Sequence, residues 1–327
     1  MLNTSQILQR ANFPESIKET AYKIANIEIQ GATNVAIQTL NSTIIWLKST
    51  DIHEIQELID TTIFYLDFLA NVRPNEPLAK NAVKYIKFYI QEHRKQKDFT
   101  SIKQVKDTFI KLADQYLKII SKSKKEIIKK GPKYLESAQI ILTHCHSSTA
   151  EALIIAVNKQ NKIKVITTET RPRYQGRITA KNLIAKKVDT IMIVDSAAPH
   201  FITDNSILPV DAILLGADEL TVYGDTINKV GSFGITLSAH YAEKPVYVVT
   251  PSLKLHYKTL IQRPTIEQRP ASEVWKDAPR ELKIINPAFE LIPRTFIKGF
   301  ITEFGLLTID TLEKTVVKAY PWIKSDS

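Results

Sequence analysis

The chemistry in this chain is concentrated where apolar runs end. Ile140-Ile141-Leu142 leads into Thr143-His144-Cys145-His146-Ser147-Ser148, and Cys145 is the only cysteine in 327 residues. The segment from Ser147 to Val157 reads as a helix whose free amides point back toward that loop. Partial positive charge there is expected to lower a thiol's pKa, giving a thiolate base or nucleophile, and the same amides can cradle a phosphate. The alternative reading of a single cysteine is a small buried hydrophobe. Two histidines and one cysteine on one strand end cannot all converge on a metal, and no second Cys/His cluster completes a tetrahedral site. His144 and His146 alternate, so their rings should face opposite ways, and neither is assigned a catalytic role.

The same grammar recurs further along. Apolar bursts at residues 163–167, 190–194, 212–215 and 245–249 each end in polar residues: Glu169-Thr170-Arg171-Pro172, Asp195-Ser196-Ala197-Ala198, Gly216-Ala217-Asp218-Glu219 and Thr250-Pro251-Ser252. Amphipathic stretches at 150–157, 179–187 and 232–242 separate most of them. Alternation of this kind implies a parallel sheet covered by helices, and ligands bind such sheets at the carboxyl ends of the strands. Loops gathered at one rim therefore form the candidate site. No Gly-rich dinucleotide fingerprint or Walker loop is present, so no nucleotide cofactor is expected and none of any other kind is assigned.

Eight of the nine glycines lie at or after Gly131, and the half before it reads as helices. Ile37, Leu40, Ile44 and Leu47 follow the spacing of one buried face, as do Ile55, Leu58, Thr62, Leu66 and Leu69, and Ile102, Val105, Phe109, Leu112 and Tyr116. Asp51 and Thr100-Ser101 are expected N-caps, and Gly131-Pro132 the exit. The expected fold is α/β: an N-terminal helical domain, residues 1–135, followed by a Rossmann-like parallel-sheet domain, residues 136–327, with helices on both faces.

Composition sets limits on partners. The formal charge is +10, with 44% hydrophobic residues and no long uncharged apolar run, so no membrane span is expected. Met1-Leu2-Asn3 begins no signal peptide, and a lone cysteine excludes an internal disulfide framework; both fit a reducing cytoplasm. The densest basic run, Lys122, Lys124, Lys125, Lys129, Lys130 and Lys133, is interrupted only by Glu126 and carries no interleaved aromatics, so it reads as a solvated helix face and no nucleic-acid partner is expected. An anionic substrate such as a sugar phosphate accounts for the balance equally well.

These loops also resemble a known superfamily. Thr143-His144-Cys145-His146-Ser147, Thr168-Glu169-Thr170-Arg171-Pro172 with Gln175-Gly176, Gly216-Ala217-Asp218 and Ile227-Asn228-Lys229-Val230-Gly231 are similar to the motifs of sugar-phosphate aldose–ketose isomerases and initiation factor 2B regulatory subunits. Within it they are most similar to archaeal ribose-1,5-bisphosphate isomerases. Val194-Asp195-Ser196-Ala197-Ala198, Asn286-Pro287-Ala288-Phe289-Glu290 and Pro321-Trp322 add to the resemblance, which is weak in the helical half and strong from residue 140 onward.

The resemblance implies a cytoplasmic isomerase of AMP salvage that works without cofactor or metal and makes ribulose 1,5-bisphosphate, assembled as a homo-oligomer, a dimer or a hexamer of dimers. It implies Cys145 as proton acceptor at the sugar C2 and Asp218 as the acid that opens the furanose ring, a role suited to a desolvated carboxyl with a raised pKa. Phosphate and sugar contacts would come from Gln30, Gly31, Ala32, Thr33, Arg73, Ser147, Ser148, Thr149, Asn228, Lys229 and Lys254. Gln30 stands where the family carries arginine and Ser148 where it carries lysine, so each removes a cation. Structural readings stand beside these: Asp218 as a cap, Arg171-Pro172 as a turn, Asn228-Lys229 as a helix entry and Arg73 in a salt bridge. Two other members of the superfamily give alternatives. An initiation factor 2B alpha-type subunit would bind initiation factor 2, but such subunits of the eukaryotic factor lack the cysteine and carry glutamate for the aspartate. In methylthioribose-1-phosphate isomerases the cysteine is generally followed by asparagine.

Overall fold

The computed structural model describes residues 13–96, 98–203 and 206–325. The chain divides into two compact units, one of residues up to Ser121 together with those from Val317 onward, the other of Lys122–Val316.

The first unit is built from helices α1 (Glu15–Ala25), α2 (Ala32–Ser49), α3 (Ile55–Ala70), α4 (Pro77–Lys95) and the leading part of α5 (Ile102–Lys130). Pro77 opens α4 at a position where its missing N–H costs nothing. Ser101 accepts from the Gln104 amide at 3.3 Å and caps α5, whereas α3 is capped by Glu54, which accepts from the Glu57 amide, and not by Asp51. In α2 the buried face is turned from the expected one. Leu40 and Leu47 are buried, but Ile37 and Ile44 sit at the margin, and Ala36, Thr39, Ser42 and Thr43 are buried in their place. Among the described residues, α1, α3 and α4 pack around α2. Small residues let neighbouring backbones come close, and Ser42 donates directly to the Ser16 carbonyl at 2.6 Å. The expected faces of α3 and α5 hold at Leu58, Thr62, Leu66 and Leu69 and at Val105, Phe109, Leu112 and Tyr116.

The second unit begins in the last turns of α5, so the exit at Gly131-Pro132 lies within it. Its larger sheet comprises β1 (Ile140–Thr143), β2 (Lys164–Thr168), β3 (Asp189–Ile193), β4 (Ala212–Leu215), β7 (Val246–Val249), β10 (Gly299–Thr302) and β11 (Gly305–Leu307), in the order β11-β10-β7-β4-β1-β2-β3. All pairings are parallel except β10 with β11. Between strands run α6 (Ser148–Gln160), α7 (Gln175–Ala185), the short α8 (Ala198–Ile202) and α9 (Ser232–Tyr241), and α10 (Ile309–Ala319) follows β11. Ile141, Val165 and Leu214 pack with Leu153, Ile154 and Val157 of α6 and Leu183 of α7. The alternate residues Leu142, Ile166 and Ile213 are fully buried too, with α8 and α9 packed on one another and α9 on β4. A strand enclosed on both faces is an uninterrupted apolar run, which is why these strands were legible.

A second sheet, of four short strands, was not expected: β5 (Glu219–Thr221), β6 (Thr226–Lys229), β8 (Leu255–His256) and β9 (Phe289–Ile292), in the order β8-β5-β6-β9. Among the described residues no helix is long and apolar enough to cross a membrane.

Candidate active site

Strand order decides where a site can form. From β1 the chain proceeds to β2 and β3 on one side, while β4 lies on the other, so β1 and β4 bound the point at which the winding reverses. Cys145 follows β1 and Asp218 follows β4. The two strand ends are tied by the Thr143 hydroxyl, which donates to the Leu214 carbonyl at 2.8 Å. Their loops touch at Gly216, where a Cβ would meet the Ser147 Cβ at 2.6 Å.

Cys145 has a φ of +68°, a backbone state that L-residues rarely occupy. Its amide donates to Thr170 Oγ1 at 2.9 Å and its carbonyl accepts from Thr179 Oγ1 at 2.9 Å. Ser147 caps α6, accepting from the Ala150 amide at 3.3 Å; Ser148 is exposed and Thr149 buried in the same first turn. The expectation of a lowered thiol pKa is not met. Burial pushes the Cys145 thiol up to about 11; Lys229 pulls it back, while Asp218 and Asp195 add to the rise. Loss of water around the sulfur outweighs the amides of the helix start, because a thiolate in a low-dielectric surrounding must be paid for by a full opposing charge.

Asp218 is half-buried, and its amide donates to the Ile227 carbonyl at 2.9 Å, which fastens its loop to β6. Lys254 donates from Nζ to the Ala217 carbonyl, so it lies against the Asp218 loop. Asn228 is buried at the end of β6 and donates to Ser232 Oγ at 2.8 Å. The Lys229 ammonium sits 4.6 Å from the centre of the Phe289 ring. Thus Asn228 and Lys229 end a strand, and α9 enters after them at Gly231, whose φ is +105°. The Glu290 carboxylate takes the start of α9, accepting from the amides of Gly231 at 2.7 Å and Phe233 at 2.6 Å, while burial raises its pKa.

In the first unit, Gln30 and Gly31 are exposed just ahead of α2, with Ala32 and Thr33 in its first turn. Gly31 has a φ of +83° and no side chain caps the helix. First-turn amides have no acceptor within their own helix, so they are available to an anion. Arg73 is buried and pairs with Glu76 at 2.8 Å, which meets the salt-bridge reading of this arginine within its own unit.

Other polar residues of the same motifs tie the strand-end loops to one another. The Asp195 carboxylate accepts from the amides of Thr170 at 2.7 Å and Arg171 at 2.6 Å. His146 faces Thr179 Oγ1 at 3.1 Å and Glu151 at 3.4 Å, while His144 turns to Thr168 and Val230. The available signal was polar residues placed directly after buried strands; which partner each would find was not in the spacing. Among the described residues no group of three or more His, Cys, Asp or Glu side chains gathers as metal ligands would.

Comparison with known proteins agrees with this architecture. The chain is 33% identical over 315 residues to a ribose 1,5-bisphosphate isomerase of Methanocaldococcus jannaschii, covering 94% of this chain and 96% of that one. It is 32% identical over 303 residues to a protein of the same name from Archaeoglobus fulgidus, covering 90% of each. Among solved structures, a translation initiation factor 2B protein of Pyrococcus horikoshii superposes with a TM-score of 0.76 at 22% identity, over 91% of this chain and 98% of that one, a likeness of fold. The model of the initiation factor 2 subunit family matches residues 28–309, and the chain belongs to that family.

Proposed function

We propose that this protein is an aldose–ketose isomerase that converts ribose 1,5-bisphosphate to ribulose 1,5-bisphosphate. The observation that carries the reading is the pairing of Cys145 and Asp218 on adjoining strand ends at the winding reversal, with the charges of Asp218 and Lys229 both acting on the thiol. A pocket that only binds has no chemical use for a sulfur acid and a carboxyl acid side by side. The names of the archaeal relatives support the same substrate.

In the proposed reaction Asp218 gives a proton to the ring oxygen as its bond to C1 breaks. The ionised form of Cys145 takes the proton from C2, so that a C1–C2 enol forms; the sulfur then returns that proton to C1, while the C2 hydroxyl gives its own proton to the Asp218 carboxylate as its oxygen becomes the ketone. Substrate and product are isomers, so no oxidant or reductant is consumed. Lys229 favours the ionised sulfur, and Lys254 steadies the Asp218 loop through Ala217. Within the sheet unit, backbone amides at Ser147 to Thr149, with Asn228, are proposed to bind phosphate and hydroxyls. The protein is proposed to act as a homo-oligomer.

Purified protein mixed with ribose 1,5-bisphosphate should yield the ketose, followed by carbon NMR. Cys145→Ser and Asp218→Asn should each lower turnover by about 10²–10⁴-fold, the usual contribution of a placed acid or base, with little change in melting temperature. Wild-type turnover by the Cys145→Ser protein would remove the mechanism.

A further inference from the structure

Three loops from three different strands meet at the ring of His144. It is 2% exposed at the end of β1, with Nε2 2.9 Å from the Val230 carbonyl and Nδ1 2.6 Å from Thr168 Oγ1. A carbonyl can only accept, so Nε2 carries the proton; burial lowers the pKa of the ring, so it is neutral and Nδ1 is the acceptor. The Thr168 hydroxyl must then donate to His144, and it can receive from the Thr170 hydroxyl 3.3 Å away. Thr170 Oγ1 in turn receives the Cys145 amide. One directed chain results, from Cys145 N–H through Thr170, Thr168 and His144 to the Val230 carbonyl. Gly231 lies flat against the ring, where a Cβ would come within 3.0 Å of Cε1. Val230 follows Lys229 directly, so the chain joins the cysteine loop to the turn that carries the ammonium acting on its sulfur.

We propose that His144 is a positioning residue which, by bonding at once to Thr168 and Val230, holds the Lys229 turn against the Cys145 loop and keeps Cys145 in its left-handed backbone state. It touches no substrate. Its neutral form is the working one, since a second ring proton would turn Nδ1 from acceptor to donor and break the chain at Thr168. The significance of this arrangement for turnover rests on the isomerase reading, but the arrangement itself can be tested on the free protein.

Cys145 is the only cysteine, so the rate of iodoacetamide labelling reports this one sulfur. Lys229→Met is expected to raise the thiol pKa further, read as a roughly tenfold slower labelling at pH 8. His144→Phe keeps the ring and loses both hydrogen bonds, and it should slow labelling to a similar degree. The double variant should be slowed no more than either single, because both remove one coupling. His144→Gln, which can still donate to the Val230 carbonyl, should recover part of the rate. Thr168→Val removes one hydroxyl from a near-identical shape, so it tests the chain if His144→Phe fails to fold; it should slow labelling severalfold. Wild-type labelling in a folded His144→Phe or Thr168→Val protein, or a double variant slowed by the product of the two single effects, would overturn the proposal. Labelling uses no sugar, so these results stand or fall separately from turnover of ribose 1,5-bisphosphate: a coupled thiol in a protein without turnover would reject the isomerase reading and leave the clamp intact.

Discussion

At the scale of single residues, the site depends on how much burial each ionisable group can tolerate. With the Cys145 thiol pushed up to about 11, the thiolate fraction grows with pH across the whole neutral and mildly alkaline range. Labelling of the wild-type protein should therefore rise about tenfold per pH unit from 7 to 10, with no plateau near the ordinary thiol value of about 8.5. A plateau at 8–9 would show that the sulfur is not desolvated. The histidines behave in the opposite sense. Burial lowers the pKa of both His144 and His146, so the unfolded chain takes up protons before the folded one does. Their contribution to stability is present above the ordinary histidine value and is lost as pH falls below it. The melting temperature should drop between pH 7 and 5, and less steeply in His144→Phe. The cation missing at Ser148 makes a further prediction: Ser148→Lys should tighten sugar bisphosphate binding by about ten- to a hundredfold, measured by calorimetry, as a charge-assisted hydrogen bond contributes about 1.5–3 kcal/mol. Unchanged affinity would place that position outside the binding surface.

At the scale of elements, close backbone approaches hold the strand-end loops in register. A Cβ on Gly176 would lie 1.8 Å from the Thr168 carbonyl oxygen, which is backbone and part of the strand that supports His144. Gly176→Ala is thus expected to prevent folding of the sheet unit, seen as loss of soluble protein or of a cooperative transition. Gly216→Ala is milder, since the atoms in the way belong to Ser147; it should spread the Cys145 and Asp218 loops and cut turnover by at least about tenfold while the protein stays folded. Five strands of the large sheet, β1, β2, β3, β4 and β7, were readable because each is a local apolar burst; β10 and β11, short and opened by Gly299 and Gly305, were not. The small sheet was not: β5 holds Glu219, β6 holds Asn228 and Lys229, and β8 is only Leu255-His256. Such segments become strands only by pairing with one another, as in the match of Asn228 to Glu290 across more than sixty residues of chain. Likewise the helical spacing of Ile37 and Ile44 was correct, but the helices that surround α2 selected the small-residue side.

Across the whole molecule, the chain's end belongs to the unit with which it begins. Trp322 is buried with its ring 5.4 Å from that of Tyr85 and 5.9 Å from that of Tyr116, and Lys84 donates to the Ile323 carbonyl at 3.1 Å. Trp322→Ala should cost about 3–5 kcal/mol of stability in denaturant unfolding; a loss below about 1 kcal/mol would mean that the C-terminal turn does not close the helical unit. Sequence alone determined that a helical segment precedes an α/β sheet, and that Cys145 and Asp218 stand at strand ends, because these are properties of local periodicity and of composition at run boundaries. Tertiary structure alone decided that β1 and β4 are neighbours, that the thiol is raised and not lowered, and that His144 joins three loops. Each of those depends on which distant segments exclude water from a group and which offer it a hydrogen bond, and no spacing along the chain encodes that.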